Sequence, residues 1–297
     1  MGPNEKKFNN IPNEIKRYNL AKSVKHYLYF QRSEQEIMEV YINDIPFKKY
    51  SEHKNSAVSF PINEYILKSG TQKVDVVFKS LKGKPFRMGF GGIIKIKKVA
   101  KSEDYKNNKV IKEYTTPIID NNGVKQFIAT GQLEYRDSFT FEATVPYDFT
   151  GWRESQDLSE MDVDVLEKEV VNFHKNVIDI AKRKDREALF QLFYQSEFQK
   201  AESEYYDDKL FKKFTGGYNF ILDDPTVKFL PLENYKLQLY ANSKIVTLES
   251  IEKYGSYALR FDYIYISSKT GKEYDKTSSF KIFLHKPKGS DKLVPIR

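Results

Sequence analysis

At 297 residues with 40% hydrophobic positions, the chain is long enough for two domains of ordinary size, each able to bury its own core. It has no cysteine, which excludes disulfides, thiolate metal sites and cysteine nucleophiles together. The formal charge of +8 is concentrated in residues 79–113, so the rest of the chain sums to zero; only nine of the 49 basic residues are Arg and no helix gathers them into a groove-reading stripe, which argues against nucleic acid.

Residues 1–20 read as a polar tether. Met1-Gly2-Pro3 is followed by a polar stretch with no apolar core behind a charged start, so no signal peptide is expected, and no apolar run is long enough to span a membrane. Lys6 stands where a myristoylation pattern requires Ser or Thr. The start reads as that of a mature chain from which a signal or lipid-anchor segment has been cut. With the lack of cysteine, this tilts the reading toward a periplasmic or exported protein, including an outer-membrane-anchored lipoprotein.

Residues 21–146 carry short runs of β-branched and aromatic residues separated by Asn, Asp, Gly and Ser, the pattern of an antiparallel sheet. Strands are expected at 26–32, 37–47, 58–62, 73–79, 93–99, 110–114, 126–130 and 138–145. Ile94 and Ile96 alternate with Lys95 and Lys97, so this strand buries one face and projects ammonium groups from the other. Eight strands at even spacing predict an all-β sandwich. The run Val40-Tyr41-Ile42-Asn43-Asp44, then Phe60 to Leu67, Ser69-Gly70 and Val74 to Phe78, resembles jelly-roll sandwiches of the galactose-binding-like type. Matching loop aromatics and calcium-type carboxylates are missing, so the resemblance does not imply sugar binding.

Residues 147–158 read as a linker, with the only tryptophan, Trp152, as an interdomain packing residue. Beyond it Val163, Leu166, Val170, Phe173, Val177 and Ile180 recur at spacings of three and four, predicting one amphipathic helix with Ser159 as N-cap. Asp185 opens a second helix carrying Leu189, Leu192 and Phe193, and the two form a hairpin. From Thr226 the pattern returns to strands, at 228–230, 235–240, 245–250, 258–267, 279–285 and 293–296. Residues 159–297 are therefore expected to form an α+β domain with a helical pair on a curved antiparallel sheet. In element order it resembles the cone-shaped nuclear-transport-factor-like and cystatin-like superfamilies, which implies an interior pocket near Tyr263 and Tyr265, with Asp262 or His285 as a candidate base.

No catalytic, metal or cofactor motif emerges. The histidines His26, His53, His174 and His285 stand far apart without metal-ligand spacing, and His174, next to core Phe173, reads as a flanking or surface residue. Ser278 to Lys281 matches SxxK on a strand without its companion motifs. Asp207-Asp208 and Asp223-Asp224 read as loop or cap residues. The expectation is a protein-binding protein, not an enzyme, that uses Arg87, Lys95, Lys97 and Lys98 to engage a partner with an acidic patch. The combination resembles bacterial periplasmic immunity proteins that antagonise type VI secretion toxins, which implies neutralisation by occlusion of a toxin's active site. The alternatives are a small-ligand carrier or enzyme built on the C-terminal pocket, and a glycan-binding surface lipoprotein.

Overall fold

A computed structural model describes residues 1–18, 23–32, 36–50, 56–80 and 83–297, leaving His53 outside the described residues. The chain is rich in antiparallel sheet, with five helices among the described residues. It forms two compact units. One is continuous, Arg17–Phe149, and the other joins Met1–Lys16 to Thr150–Arg297.

The continuous unit holds β1 (Val24–Arg32), β2 (Glu36–Ile42), β3 (Ile45–Tyr50), β4 (Ser56–Pro61), β5 (Lys68–Ser80), β6 (Ile93–Ala100), β7 (Lys109–Thr115), β8 (Ile118–Asn121), β9 (Val124–Phe127) and β10 (Glu134–Asp148). They make two four-stranded sheets, ordered β4-β1-β6-β7 and β10-β5-β2-β3, plus the β8–β9 hairpin. Period-two alternation sets which side is buried: Leu28 and Phe30 of β1 and Ile94 and Ile96 of β6 lie in the core. The sheets meet where Phe47 of β3 packs on Phe60 of β4, ring centroids 6.1 Å apart, and where Tyr114 of β7 stacks on Phe139 of β10 at 5.2 Å. The strand expected at 37–47 is instead the β2–β3 hairpin. Asn43 and Asp44 both take left-handed backbone (φ 52° and 63°), which their short polar side chains tolerate, and the chain turns back so that Ile42 pairs with Ile45.

The discontinuous unit holds α1 (Pro3–Asn9), α2 (Ile11–Glu14), α3 (Val163–Lys182), α4 (Arg186–Ser203) and α5 (Asp208–Asp223). Its strands are β11 (Lys228–Phe229), β12 (Tyr235–Tyr240), β13 (Ile245–Ser250), β14 (Arg260–Ile266), β15 (Glu273–Ser279), β16 (Phe283–His285) and β17 (Val294–Ile296), in sheets ordered β12-β13-β16-β17 and β11-β14-β15. Residues 1–16 are not a tether. Phe8 of α1, Ile11 of α2 and Ile15 just beyond it are all buried. Phe8 packs on Phe190, Phe211 and Tyr218 with centroids 4.6, 5.5 and 5.5 Å away. The Glu187 carboxylate accepts from the backbone N–H groups of Asn4 (2.8 Å) and Glu5 (3.1 Å), satisfying donors that a helix start leaves open.

Residues 150–158 likewise pack within this unit: Trp152 and Leu158 are buried, the Leu158 N–H donates to Ser243 O at 2.8 Å, and the Arg297 guanidinium lies 5.7 Å from the centre of the Trp152 ring. The long helix starts later than Ser159 suggested. Asp162 is its N-cap, accepting from the N–H groups of Asp164 and Val165 at 3.0 Å each, while Ser159 sits in a separate turn capped by Asp157. Val163 is exposed in consequence, and His174 takes a central place on the buried face beside Val170 and Val177. A third helix, α5, extends the expected pair. Its N-cap is Asp207, whose carboxylate accepts from the Leu210 N–H at 2.8 Å.

Candidate functional site

The basic segment of the sequence becomes one half of an aromatic and cationic face on the β4-β1-β6-β7 sheet. In β1 the residues between the buried ones, Tyr27 and Tyr29, lie on the opposite side of the strand, and β6 does the same with Lys95 and Lys97. Antiparallel register sets Tyr29 opposite Lys95 and Tyr27 opposite Lys97. Lys95 reaches the next strand, forming an ion pair with Glu113 at 3.0 Å. Lys97 places its ammonium 4.6 Å from the Tyr29 ring centre and 5.8 Å from that of Tyr105. Tyr105 comes from the single turn Tyr105–Asn107 between β6 and β7. It packs edge-on against Tyr27 at 4.8 Å and donates its hydroxyl proton to Ser59 Oγ at 2.6 Å. Three tyrosines and two lysines are thus fixed in place by cross-strand neighbours, with Lys97 held over two ring faces by cation–π attraction.

The other two expected contact residues stand apart from this face. Lys98 has the parity of buried Ile94 and Ile96, and the unbroken β1–β6 register sets it opposite His26, whose ring is buried. Lys98 is close enough that its charge helps keep that imidazole neutral. Arg87 is exposed on the segment leading to β6, beside Met88. Met88 O accepts from the Phe127 N–H at 2.9 Å, so Arg87 neighbours the β8–β9 hairpin, which exposes Ile118 and Val124. Sequence reasoning missed the tyrosines. Tyr27 and Tyr29 were legible as the outward residues of an alternating strand, whereas Tyr105 acquires its place only through the fold.

In the discontinuous unit Tyr263 packs edge-on against Phe220 at 5.1 Å and at a tilt against Phe261 at 6.1 Å, and Tyr265 is 46% exposed opposite Tyr274 on the β14–β15 ribbon. Asp262 accepts from the Thr277 hydroxyl across the same ribbon at 2.6 Å. None of the three lines the cleft in this unit, about 190 Å³ between α4, α5 and the segments around β16 and β17.

The three described histidines are all buried. His26 shares Asn63 Oδ1 between its backbone N–H (2.9 Å) and ring Nδ1 (3.1 Å), and burial pushes its pKa down to about 4. His174 is a core residue, fully buried, with Nδ1 2.8 Å from Val170 O, and burial again lowers it to about 4. Its surface reading failed because position 174 continues the row of Val170 and Val177, and the core tolerates a neutral imidazole whose one N–H is satisfied within its own helix. His285 Nδ1 lies 2.7 Å from Ser155 Oγ, and burial holds it near 4 as well. That pair has the spacing of a nucleophile and base, yet both residues are buried where residue 155 bridges to residue 287, so it ties residues 150–158 to β16. Among the described residues no group of three or more His, Asp or Glu is arranged to hold a metal ion, and no helix is long and apolar enough to cross a membrane.

In comparisons with known proteins, no family model, curated protein or solved structure matches this chain.

Proposed function

We propose that the chain is a non-catalytic protein-binding protein whose docking face is formed by Tyr27, Tyr29, Tyr105, Lys95 and Lys97, and whose partner presents an acidic patch. The observation that carries this reading is Lys97 held over Tyr29 and Tyr105. Tyrosines anchored by neighbours bring large contact area at small entropic cost, and lysines beside them reward a carboxylate that becomes desolvated on docking. The local excess of eight positive charges in residues 79–113 adds steering toward an acidic partner. A histidine base works best with a pKa near neutrality, and burial holds the three described histidines near 4, so none of the three suits that role.

Within that class the reading is an immunity protein that neutralises a secreted antibacterial toxin by occluding its active site, acting in the periplasm or from a lipid anchor at the outer membrane. The two facing four-stranded sheets suit a jelly-roll-like sandwich, and the helices on antiparallel sheet suit a cone-like α+β domain. The test is capture from secreted and periplasmic fractions of the source cells, followed by an assay of whether the purified chain suppresses the captured protein's activity. A stoichiometric partner, inhibited by the chain and released about tenfold or more faster from Lys95→Glu/Lys97→Glu, supports the proposal. A partner held equally well by that variant would place the docking face elsewhere.

A further inference from the structure

The two four-stranded sheets of the continuous unit end in the edge strands β3, β4, β7 and β10, and three of these carry features that obstruct further pairing. β3 has Pro46, Lys48 and Lys49, β4 is six residues long and ends at Pro61, and β7 has Lys109, Lys112 and a bulge in its pairing with β6. β10 is the exception. From Glu134 to Ala143 it follows β5 in unbroken register, without proline, lysine or bulge.

The Ser80 N–H donates to Leu133 O at 2.8 Å, so in this antiparallel pairing the odd-numbered residues of β10 exchange hydrogen bonds with β5. The N–H and C=O groups of Glu134, Arg136, Ser138, Thr140 and Glu142 therefore point the other way, toward an edge on which no described strand pairs. Thr144 has the same parity, and its N–H likewise points away from β5, reaching His26 Nε2 at 3.4 Å. The Ser138 N–H is met locally by Asp137 Oδ1 at 2.8 Å. The side chains of these even-numbered residues are exposed, from Glu134 to Thr144.

We infer that this edge pairs with β10 of a second copy of the chain, antiparallel about a two-fold axis at Phe139, joining two β10-β5-β2-β3 sheets into one. Any extended strand could meet the backbone groups, and the charge pattern is what selects a second copy. Centring on Phe139 sets Ser138 opposite Thr140 and, at two symmetric positions, Arg136 opposite Glu142. Neighbouring registers lose this match: centring on Ser138 sets Glu134 against Glu142, and centring on Thr140 leaves Arg136 opposite Thr144. Within one copy Arg136 meets exposed Glu134 through Nε, and Glu142 accepts from the Thr71 hydroxyl through Oε1, so the terminal guanidinium nitrogens and Oε2 are the atoms that face each other across the axis. The inference does not rest on the docking face, which lies on the other sheet.

One strand pair buries little area, so the test is sedimentation of the full chain over a concentration series, in which the mass rises from monomer toward dimer. Arg136→Glu and Glu142→Arg each weaken the dimer about tenfold or more, because each sets like charges opposite one another twice, and Arg136→Glu/Glu142→Arg restores most of the loss. Thr140→Pro removes an N–H that its own sheet does not use, so the chain keeps its far-UV dichroism and loses the dimer. The charge variants carry the test alone if the proline disturbs the strand. A chain that stays monomeric up to its solubility limit, a dimer that persists in folded Thr140→Pro, or a double charge variant no better than the single ones would each overturn the inference.

Discussion

The two units solve the same problem of core formation in opposite ways. The strand unit, Arg17–Phe149, is one continuous stretch whose ends come together: Tyr18 and Tyr147 have ring centroids 6.2 Å apart. It is therefore an insertion of the tolerated kind, leaving the host chain near where it entered. The helix-bearing unit is the host, and its core depends on residues separated from the rest by that whole insertion, since Phe8, Ile11 and Ile15 pack with α4 and α5. A continuous unit can assemble from neighbours, while a divided one must recover its first sixteen residues after a long detour. The chain's single tryptophan, Trp152, lies buried in the divided unit, so its fluorescence follows that unit, and amide exchange in β1, β5 and β6 follows the other.

The largest expected effect comes from breaking the divided core at its N-terminal segment. Phe8→Ala removes a ring in contact with Phe190, Phe211 and Tyr218 and should cost about 3–5 kcal/mol. In urea the Trp152 transition moves to lower denaturant, while protection of the β1, β5 and β6 amides is unchanged. A tether-like segment predicts no shift at all.

Acid sharpens the contrast. His174 and His285 belong to the divided unit and His26 to the continuous one, each with its folded pKa near 4, below the unfolded value near 6.5. The unfolded chain therefore takes up protons first. The stability these neutral rings contribute is complete above about pH 6.5 and falls through the window down to about pH 4, by up to about 3 kcal/mol each. Two such rings against one make the Trp152 midpoint fall more steeply with pH than strand-amide protection. His174→Leu should flatten that slope without flattening the one for the strands.

The contrast also explains what the sequence disclosed. Alternation in β1 and β6 and the spacing of apolar residues in α3 were legible because each depends on residues within one element. The break at Asn43-Asp44 was legible in principle, since two residues that tolerate left-handed backbone sit between apolar runs. The packing of residues 1–16 was not, because three apolar side chains among polar ones form a face only when α4 and α5 supply the other side. The proposed docking face was half visible: Lys95 and Lys97 stood out by charge, and Lys98 shares the parity of Ile94 and Ile96, which puts it on the His26 side by alternation alone, while Tyr105 acquires its place from a loop that single-strand patterns do not encode.

A smaller effect tests the ionic clasp on the divided core. Arg186 donates Nε–H to Glu5 at 2.8 Å, reaches Asp223 at 2.7 Å and donates to Asn219 at 2.7 Å, joining α1, α4 and the end of α5. Glu5 is buried, so Arg186→Met leaves its carboxylate without the guanidinium and should cost about 2–3 kcal/mol. Adding Glu5→Gln should recover part of the loss, because a neutral amide is cheaper to bury unpaired. No recovery would mean that Asp223 and Asn219, not Glu5, carry the coupling.

The smallest effect belongs to the continuous unit and probes whether its sheets share the work evenly. Tyr114 on β7 and Tyr135 on β10 both donate to Asp137 Oδ2, at 3.0 and 2.9 Å, so one carboxylate joins the two sheets. Burial and the Asp137 charge push both phenols up, Tyr135 to about 12, so both remain donors across the accessible pH range. Tyr114→Phe keeps the ring stacked on Phe139 and leaves Asp137 its second donor, so the loss is one hydrogen bond, about 1 kcal/mol. The change should appear as faster amide exchange in β7 and β10 with the Trp152 transition unmoved. If instead the tryptophan midpoint falls in step, the two units unfold as one, and the distinction between a continuous unit and a divided one describes their chain paths without describing their stabilities.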